Sequence, residues 1–108
     1  MQLLIVTFNL RGVSDSDYRR SCEEEAPAFA SVPGLVSKSW LADEATNTYG
    51  GVYSFADQRS MDTYVQSDLF KAIVDDPTVV NLKTRTFDIL EGPSRITRAV
   101  GDPAVPSP

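Results

Sequence analysis

The chain opens on a run in which Leu4, Val6 and Phe8 alternate with Leu3 and Ile5, before Thr7 and Asn9 turn it polar. Successive side chains of a strand point to opposite faces, so residues 3–10 predict a strand covered on both sides, either central in its sheet or sandwiched by a partner. Arg11-Gly12-Val13 leads to a helix start at which Ser14, Asp15 and Ser16 all qualify as N-caps. Tyr18, Cys22, Ala26 and Phe29 then fall at helical spacing and form an inward stripe, opposite the solvated acidic run Glu23-Glu24-Glu25. Pro27 is a defect in this pattern, because a proline inside a helix removes a hydrogen bond and kinks the axis. Pro33-Gly34 closes the segment.

Residues 35–41 predict a second strand, with Val36, Lys38 and Trp40 on one face and Leu35, Ser37, Ser39 and Leu41 on the other. The polar stretch 43–48 is a hairpin loop that returns through a third strand, 49–55, in which Gly51, Tyr53 and Phe55 share a face. Asp57 caps a second helix carrying Met61, Tyr64, Val65 and Leu69 at helical spacing. Residues 70–74 extend it until Asp75-Asp76-Pro77 breaks it. A fourth strand over 79–90 alternates Lys83, Arg85, Phe87 and Ile89 with Leu82, Thr84, Thr86 and Asp88. Gly92-Pro93 and a short basic segment, 94–99, follow it. Residues 1–100 therefore predict one domain, and the proline-rich tail 101–108 is expected to be disordered.

The order βαββαβ is the ferredoxin-like split arrangement, an α+β fold with a four-stranded antiparallel sheet and two helices on one face. The other face of such a sheet meets solvent, a ligand or another subunit. A first strand that is apolar on both faces favours a homodimer packed sheet against sheet.

Composition narrows the chemistry. The 108 residues include no histidine, which removes Ser-His-Asp and Cys-His nucleophile systems, histidine-ligated haem and facial-triad iron. The lone Cys22 can form neither an intramolecular disulfide nor a thiolate zinc cage. A net charge of −5 argues against a phosphate-binding surface, so nucleic acid is not an expected partner. The apolar run 3–6 has no basic residue before it and is too short for a signal-peptide core or a membrane span. With a free cysteine, that places the expected site of action in the cytoplasm.

The stretch Pro33-Gly34-Leu35-Val36-Ser37-Lys38-Ser39-Trp40, followed by Gly50-Gly51-Val52-Tyr53-Ser54-Phe55, resembles the YdhR monooxygenase family. Phe87-Asp88-Ile89, with Ser94-Arg95-Ile96 and Ala99 beyond it, is similar too, whereas the first strand and helix match only loosely. The resemblance runs from Pro33 to Ala99 and implies the dimeric α+β barrel superfamily. That superfamily also holds antibiotic-biosynthesis monooxygenases that act on aromatic polyketides without metal or organic cofactor. Its haem-degrading branch uses a histidine on iron, which this chain lacks. The resemblance says more of fold than of mechanism.

With neither histidine nor a glycine-rich phosphate loop, a reaction here has an apolar pocket, a few hydrogen bonds and a perturbed Lys, Tyr or carboxylate to work with. Those tools suit a phenol whose stabilised anion reacts directly with dioxygen, with no cofactor. Trp40 is the first candidate: its indole N–H can bond a phenolate oxygen while its ring packs on an aromatic ligand, or it is a plain core residue. Lys38, on the same strand face, can hold a phenolate or act as a base, or it snorkels at a sheet edge. Tyr53 offers a hydroxyl, and with Phe8 and Phe55 it can line an aromatic cavity or simply form core. Gly51, beside Gly50, leaves room for a ligand or marks a bulge. Asn9 is either a polar contact or a strand terminator that bonds local backbone. Arg85, with Phe87 on the same face, belongs to a late basic patch that can attract an anionic substrate or pair with acids.

Together with the resemblance, these residues lead to the expectation of a cofactor-independent monooxygenase acting on a phenolic, polyketide-like substrate with dioxygen, without metal. Two alternatives stay open: a non-oxidative cyclase, isomerase or lyase on a polyketide-type intermediate, and a small-molecule-binding protein without catalysis. Oxygen uptake separates the first reading from the others.

Overall fold

The computed structural model describes residues 1–97. The tail expected to be disordered, together with Arg98 and Ala99 of the basic segment, lies outside those residues. The elements are β1 (Gln2–Leu10), α1 (Asp15–Ala30), β2 (Leu35–Asp43), β3 (Thr48–Phe55), α2 (Gln58–Val65), α3 (Asp68–Asp75), β4 (Val79–Asp88) and α4 (Glu91–Ile96). The four strands form one antiparallel sheet in the order β2-β3-β1-β4, the ferredoxin-like α+β arrangement. No helix among the described residues is long and apolar enough to cross a membrane.

The apolar first strand does lie centrally, between β3 and β4. Leu4, Val6, Phe8 and Leu10 are buried on the face that the helices cover, with Tyr49, Tyr53 and Phe55 of β3 beside them. Phe29, Met61, Tyr64 and Phe70 come down from the helices to complete the core. Leu3 and Ile5 are half-buried on the opposite, open face, where Arg85 and Phe87 of β4 are their register partners.

Three local features depart from simple alternation. In β2 a bulge at Val36 shifts the register, so Leu35 pairs with Phe55 while Ser37 pairs with Ser54. The expected face assignment is corrected there: Leu35 shares the covered face with Lys38 and Trp40, and Val36 is turned out to 56% exposure. In β4 a second irregularity falls at Asn81, whose φ of 56° is left-handed, and it returns Val79 to the covered face with Leu82. The expected single second helix is two. The Ser67 hydroxyl accepts from the Phe70 N–H and starts α3 afresh, while the Gln66 N–H closes α2 on Thr63 and Tyr64.

Of the three residues that qualified as caps for α1, Ser14 does the work, accepting from the Asp17 N–H at 3.1 Å. Pro27 does sit inside that helix. Its missing N–H leaves only the carbonyl of Glu23 without its helical partner, and Glu23 is exposed to water.

Candidate functional site

A cavity of about 300 Å³ lies between the covered face of the sheet and helices α1 and α3. Val6 and Phe8 of β1, Phe29 of α1, Trp40 of β2 and Ile73 of α3 give it apolar walls, and Lys38 is the cation that reaches it. A second hollow, between α2 and β4, offers one carboxylate, Asp62, which is occupied by Gln58 at 2.9 Å. The first cavity is therefore the candidate site.

Strand register builds it. Lys38 and Trp40, two residues apart on β2, project to the same face, opposite Tyr53 and Gly51 of β3. Gly51 is small for a definite reason: a Cβ there would lie 2.8 Å from Cε of Lys38 and 3.3 Å from the Tyr53 ring. The missing side chain makes room for the lysine stem. Gly50 has a different task, since its φ is 149° and a Cβ would collide with the Val6 carbonyl oxygen. It permits the close approach of β3 to β1.

The Lys38 amine sits in an aromatic cage. Its Nζ is 3.3 Å from the centroid of Trp40, 3.5 Å from that of Phe29 and 4.8 Å from that of Tyr53. Phe29 and Trp40 meet edge to face, with centroids 5.1 Å apart. The ion pairs among the described residues, Met1–Glu91, Arg19–Asp15, Arg20–Asp17 and Arg95–Glu91, all leave Lys38 out. No fully buried side-chain nitrogen or oxygen among those residues lacks a hydrogen bond. The Lys38 amine and the Trp40 indole N–H have no hydrogen-bond partner among the described residues, neither is fully buried, and both residues line the cavity.

Burial lowers the Lys38 pKa to about 7, against weaker opposing effects from Cys22 and Glu25 of α1. The aromatic faces favour the ammonium, burial favours the free amine, and at neutral pH both forms are accessible. Burial also pushes the Cys22 thiol up, so it stays protonated. The Tyr53 hydroxyl accepts a hydrogen bond from Tyr64 at 2.9 Å, and burial holds its pKa up at about 12. It remains a phenol at neutral pH.

Five of the residues singled out from the sequence thus surround one cavity: Trp40, Lys38, Tyr53, Phe8 and Gly51. Four do not line it. Phe55 is fully buried one strand pitch away, stacked on Tyr53 at 6.1 Å. Arg85 and Phe87 lie on the open face, where the guanidinium covers the ring at 4.9 Å. Asn9 ties three segments together, donating to the Asn47 carbonyl at 2.7 Å and accepting from Asn81 at 2.9 Å. Of the wall residues not named as site candidates, which include Val6 and Ile73, Phe29 is the one against the Lys38 amine; its signal was only its place on the inward stripe of α1. Among the described residues, no group of three or more Cys, Asp or Glu side chains is arranged to hold a metal ion.

The fold is shared with solved structures at low sequence identity. A protein described as a putative antibiotic biosynthesis monooxygenase from Deinococcus radiodurans is 14% identical, with a TM-score of 0.68 over 82% of this chain and 92% of that one. SnoaB, a cofactor-independent oxygenase from Streptomyces nogalater, is 16% identical, with a TM-score of 0.65 over 82% and 92% of the two chains. The heme-degrader MhuD from Mycobacterium tuberculosis is 11% identical, with a TM-score of 0.64 over 83% and 96%. No curated protein matches in sequence. The family model described as "Putative mono-oxygenase ydhR" matches residues 3–100, and the chain belongs to that family.

Proposed function

We propose that the chain is a cofactor-independent monooxygenase that oxidises a phenolic, polyketide-like aromatic with dioxygen in the cavity beneath α1. The observation that carries this reading is Lys38, an amine of lowered pKa in no ion pair, caged beside Trp40 on one largely apolar void that Glu25 and Asp76 also line. SnoaB, a cofactor-independent oxygenase, and MhuD, a heme-degrader, are two precedents on this fold. The chain has no histidine with which to hold a haem iron, so the first precedent is the one followed.

In this mechanism the phenol enters with its ring against Phe29 and Trp40, and the free amine of Lys38 takes its proton. An ordinary phenol ionises near ~10, so transfer to an amine near 7 is uphill in isolation. The ammonium–phenolate attraction and the indole hydrogen bond offset that difference in a cavity with little water. Phenols whose anion is delocalised over a fused ring or a neighbouring carbonyl need less help and are the expected substrates. The phenolate passes an electron to dioxygen, and the radical pair combines on a ring carbon as a hydroperoxide. Loss of water leaves a quinone, so one oxygen atom enters the product and the other leaves as water.

The same proposal has the chain acting as one domain over residues 1–100 and as a homodimer through the open face of the sheet. Half-buried Leu3 and Ile5 beside exposed Phe87 support that contact. The cytoplasm, which keeps a lone cysteine reduced, is its proposed location. An oxygen electrode tests the function: a phenolic anthrone should drive oxygen consumption by chelator-treated protein without added flavin or nicotinamide. Dependence on added metal or flavin would contradict it.

A further inference from the structure

We propose that Lys38 is also an imine-forming amine, and that the cavity captures aromatic aldehydes and ketones as reversible covalent adducts. The inference rests on reading the cavity as a small-molecule site but uses no step of the oxygenation.

Three observations bring it forward. The Lys38 Nζ is a nucleophile without an anion to hold it: no described carboxylate pairs with it, and its nearest neighbours are three aromatic faces. It opens onto a void of about 300 Å³ with largely apolar walls, at the lower end of the size range of small-molecule sites. Gly51 keeps the amine at this void, because a Cβ there would lie 2.8 Å from the lysine Cε, and the Tyr53 ring stands 4.8 Å from the amine. Oxygenation of a phenolate needs a cation and a hydrogen-bond donor. A free amine on an apolar void is what carbonyl condensation needs.

The step balances without an oxidant. The amine nitrogen bonds the carbonyl carbon, the C=O π pair moves to oxygen, and that oxygen takes a proton to give a carbinolamine. A proton from solvent then lets the hydroxyl leave as water, while the nitrogen lone pair closes the C=N bond. Hydrolysis reverses it. The titratable groups facing the amine are Cys22 and Glu25 from α1 and Tyr53 from β3. Tyr53 and Cys22 stay protonated at neutral pH, so the amine is the group that changes state there.

The test uses the unmodified protein, with its own remaining lysines as controls. Incubation at neutral pH with 4-hydroxybenzaldehyde and sodium cyanoborohydride turns any imine into a stable secondary amine, and peptide mapping then locates it. Lys38 should be modified at least about tenfold faster than Lys71 or Lys83, because burial lowers its pKa to about 7 and the cavity holds the aromatic ring beside the amine. Equal rates at Lys38, Lys71 and Lys83 would overturn the inference. Oxygen consumption with a phenolic anthrone, run in parallel, separates the two proposals. Oxidation without labelling removes only the imine, and labelling without oxidation removes only the oxygenase.

Discussion

Lys38 and Trp40 stand two residues apart on β2, and the lysine Nζ lies 3.3 Å from the centroid of the tryptophan ring. A strand edge is an ordinary place for a lysine, but this one is folded inward beneath α1 rather than out to water. Gly51, directly across from Trp40, is what lets its stem pass. The arrangement leaves a desolvated amine beside an aromatic donor, and most of the expected behaviour follows from it.

Lys38→Met keeps the stem and removes the charge. In the folded chain the Lys38 pKa is lowered from 10.5 to about 7, so between those values the unfolded state binds more protons than the native one. Wild-type stability should therefore rise with pH across that window, and the buried charge costs most below it. The variant should melt higher than wild type at pH 6 and lose that advantage as pH approaches 10.5. Thermal melts at several pH values check the crossover, and a variant destabilised equally at every pH would contradict it. Its oxygenase activity should be lost.

Trp40→Phe preserves a ring to pack against Phe29 and deletes the indole N–H. Loss of one hydrogen bond to a charged group, worth about 1.5–3 kcal/mol, predicts a rate loss of about 10- to 100-fold. Stability should fall by only about 1 kcal/mol, from the smaller ring against Phe29. Steady-state kinetics beside a melting curve decide it: unchanged turnover would make Trp40 a packing residue.

The backbone layout was legible because alternation and helical spacing were clean. Leu4, Val6 and Phe8 marked the central strand, and Tyr18, Cys22 and Phe29 marked the buried stripe of α1. What was not legible came from features that break those periods. A single extra residue at Val36 reversed the face of Leu35, and Asn81 did the same for Val79. Ser67 looked like a polar position within a helix, although its hydroxyl caps a new one. For the site, Lys38, Trp40 and Tyr53 were readable as neighbours on adjoining strands. Nothing in the sequence distinguished the covered face, which has the cavity, from the open face, which has Arg85 and Phe87.

The two adjacent glycines should behave differently. Gly51→Ala puts a methyl against the flexible Lys38 stem, which can yield, so the fold should survive while the amine is displaced from its cage. Carbonyl labelling and oxygenase activity should both drop. Gly50→Ala meets the Val6 backbone, which cannot yield, at a φ of 149°. It should destabilise the protein by several kcal/mol, at the severe end for a single substitution. Matched melts and activities for the pair check this, and equal destabilisation by both would contradict the assigned roles.

Asn9→Ala should act on stability alone. Asn9 bridges Asn81 in the β4 bulge and Asn47 in the β2–β3 turn, and Asn47 in turn holds the backbone of Leu10 at 3.0 and 3.2 Å. Two lost hydrogen bonds predict about 1–3 kcal/mol of destabilisation. Denaturant unfolding measures it, and kcat/KM should not move. A kinetic defect without a stability change would return Asn9 to the site.

The activity of the Lys38 amine in oxygenation should follow its ionisation. With a substrate that does not itself titrate between pH 5 and 9, kcat/KM should rise to a plateau with an inflection near the lowered pKa of about 7. A flat profile would mean that Lys38 acts as a fixed positive charge rather than as a base.

The most direct measurement is the fate of isotopically labelled dioxygen during turnover of a phenolic anthrone by chelator-treated protein. The account predicts one labelled oxygen atom in the quinone, one dioxygen consumed per product and no turnover under nitrogen. Product formed equally well under nitrogen, or a quinone free of label, would contradict it.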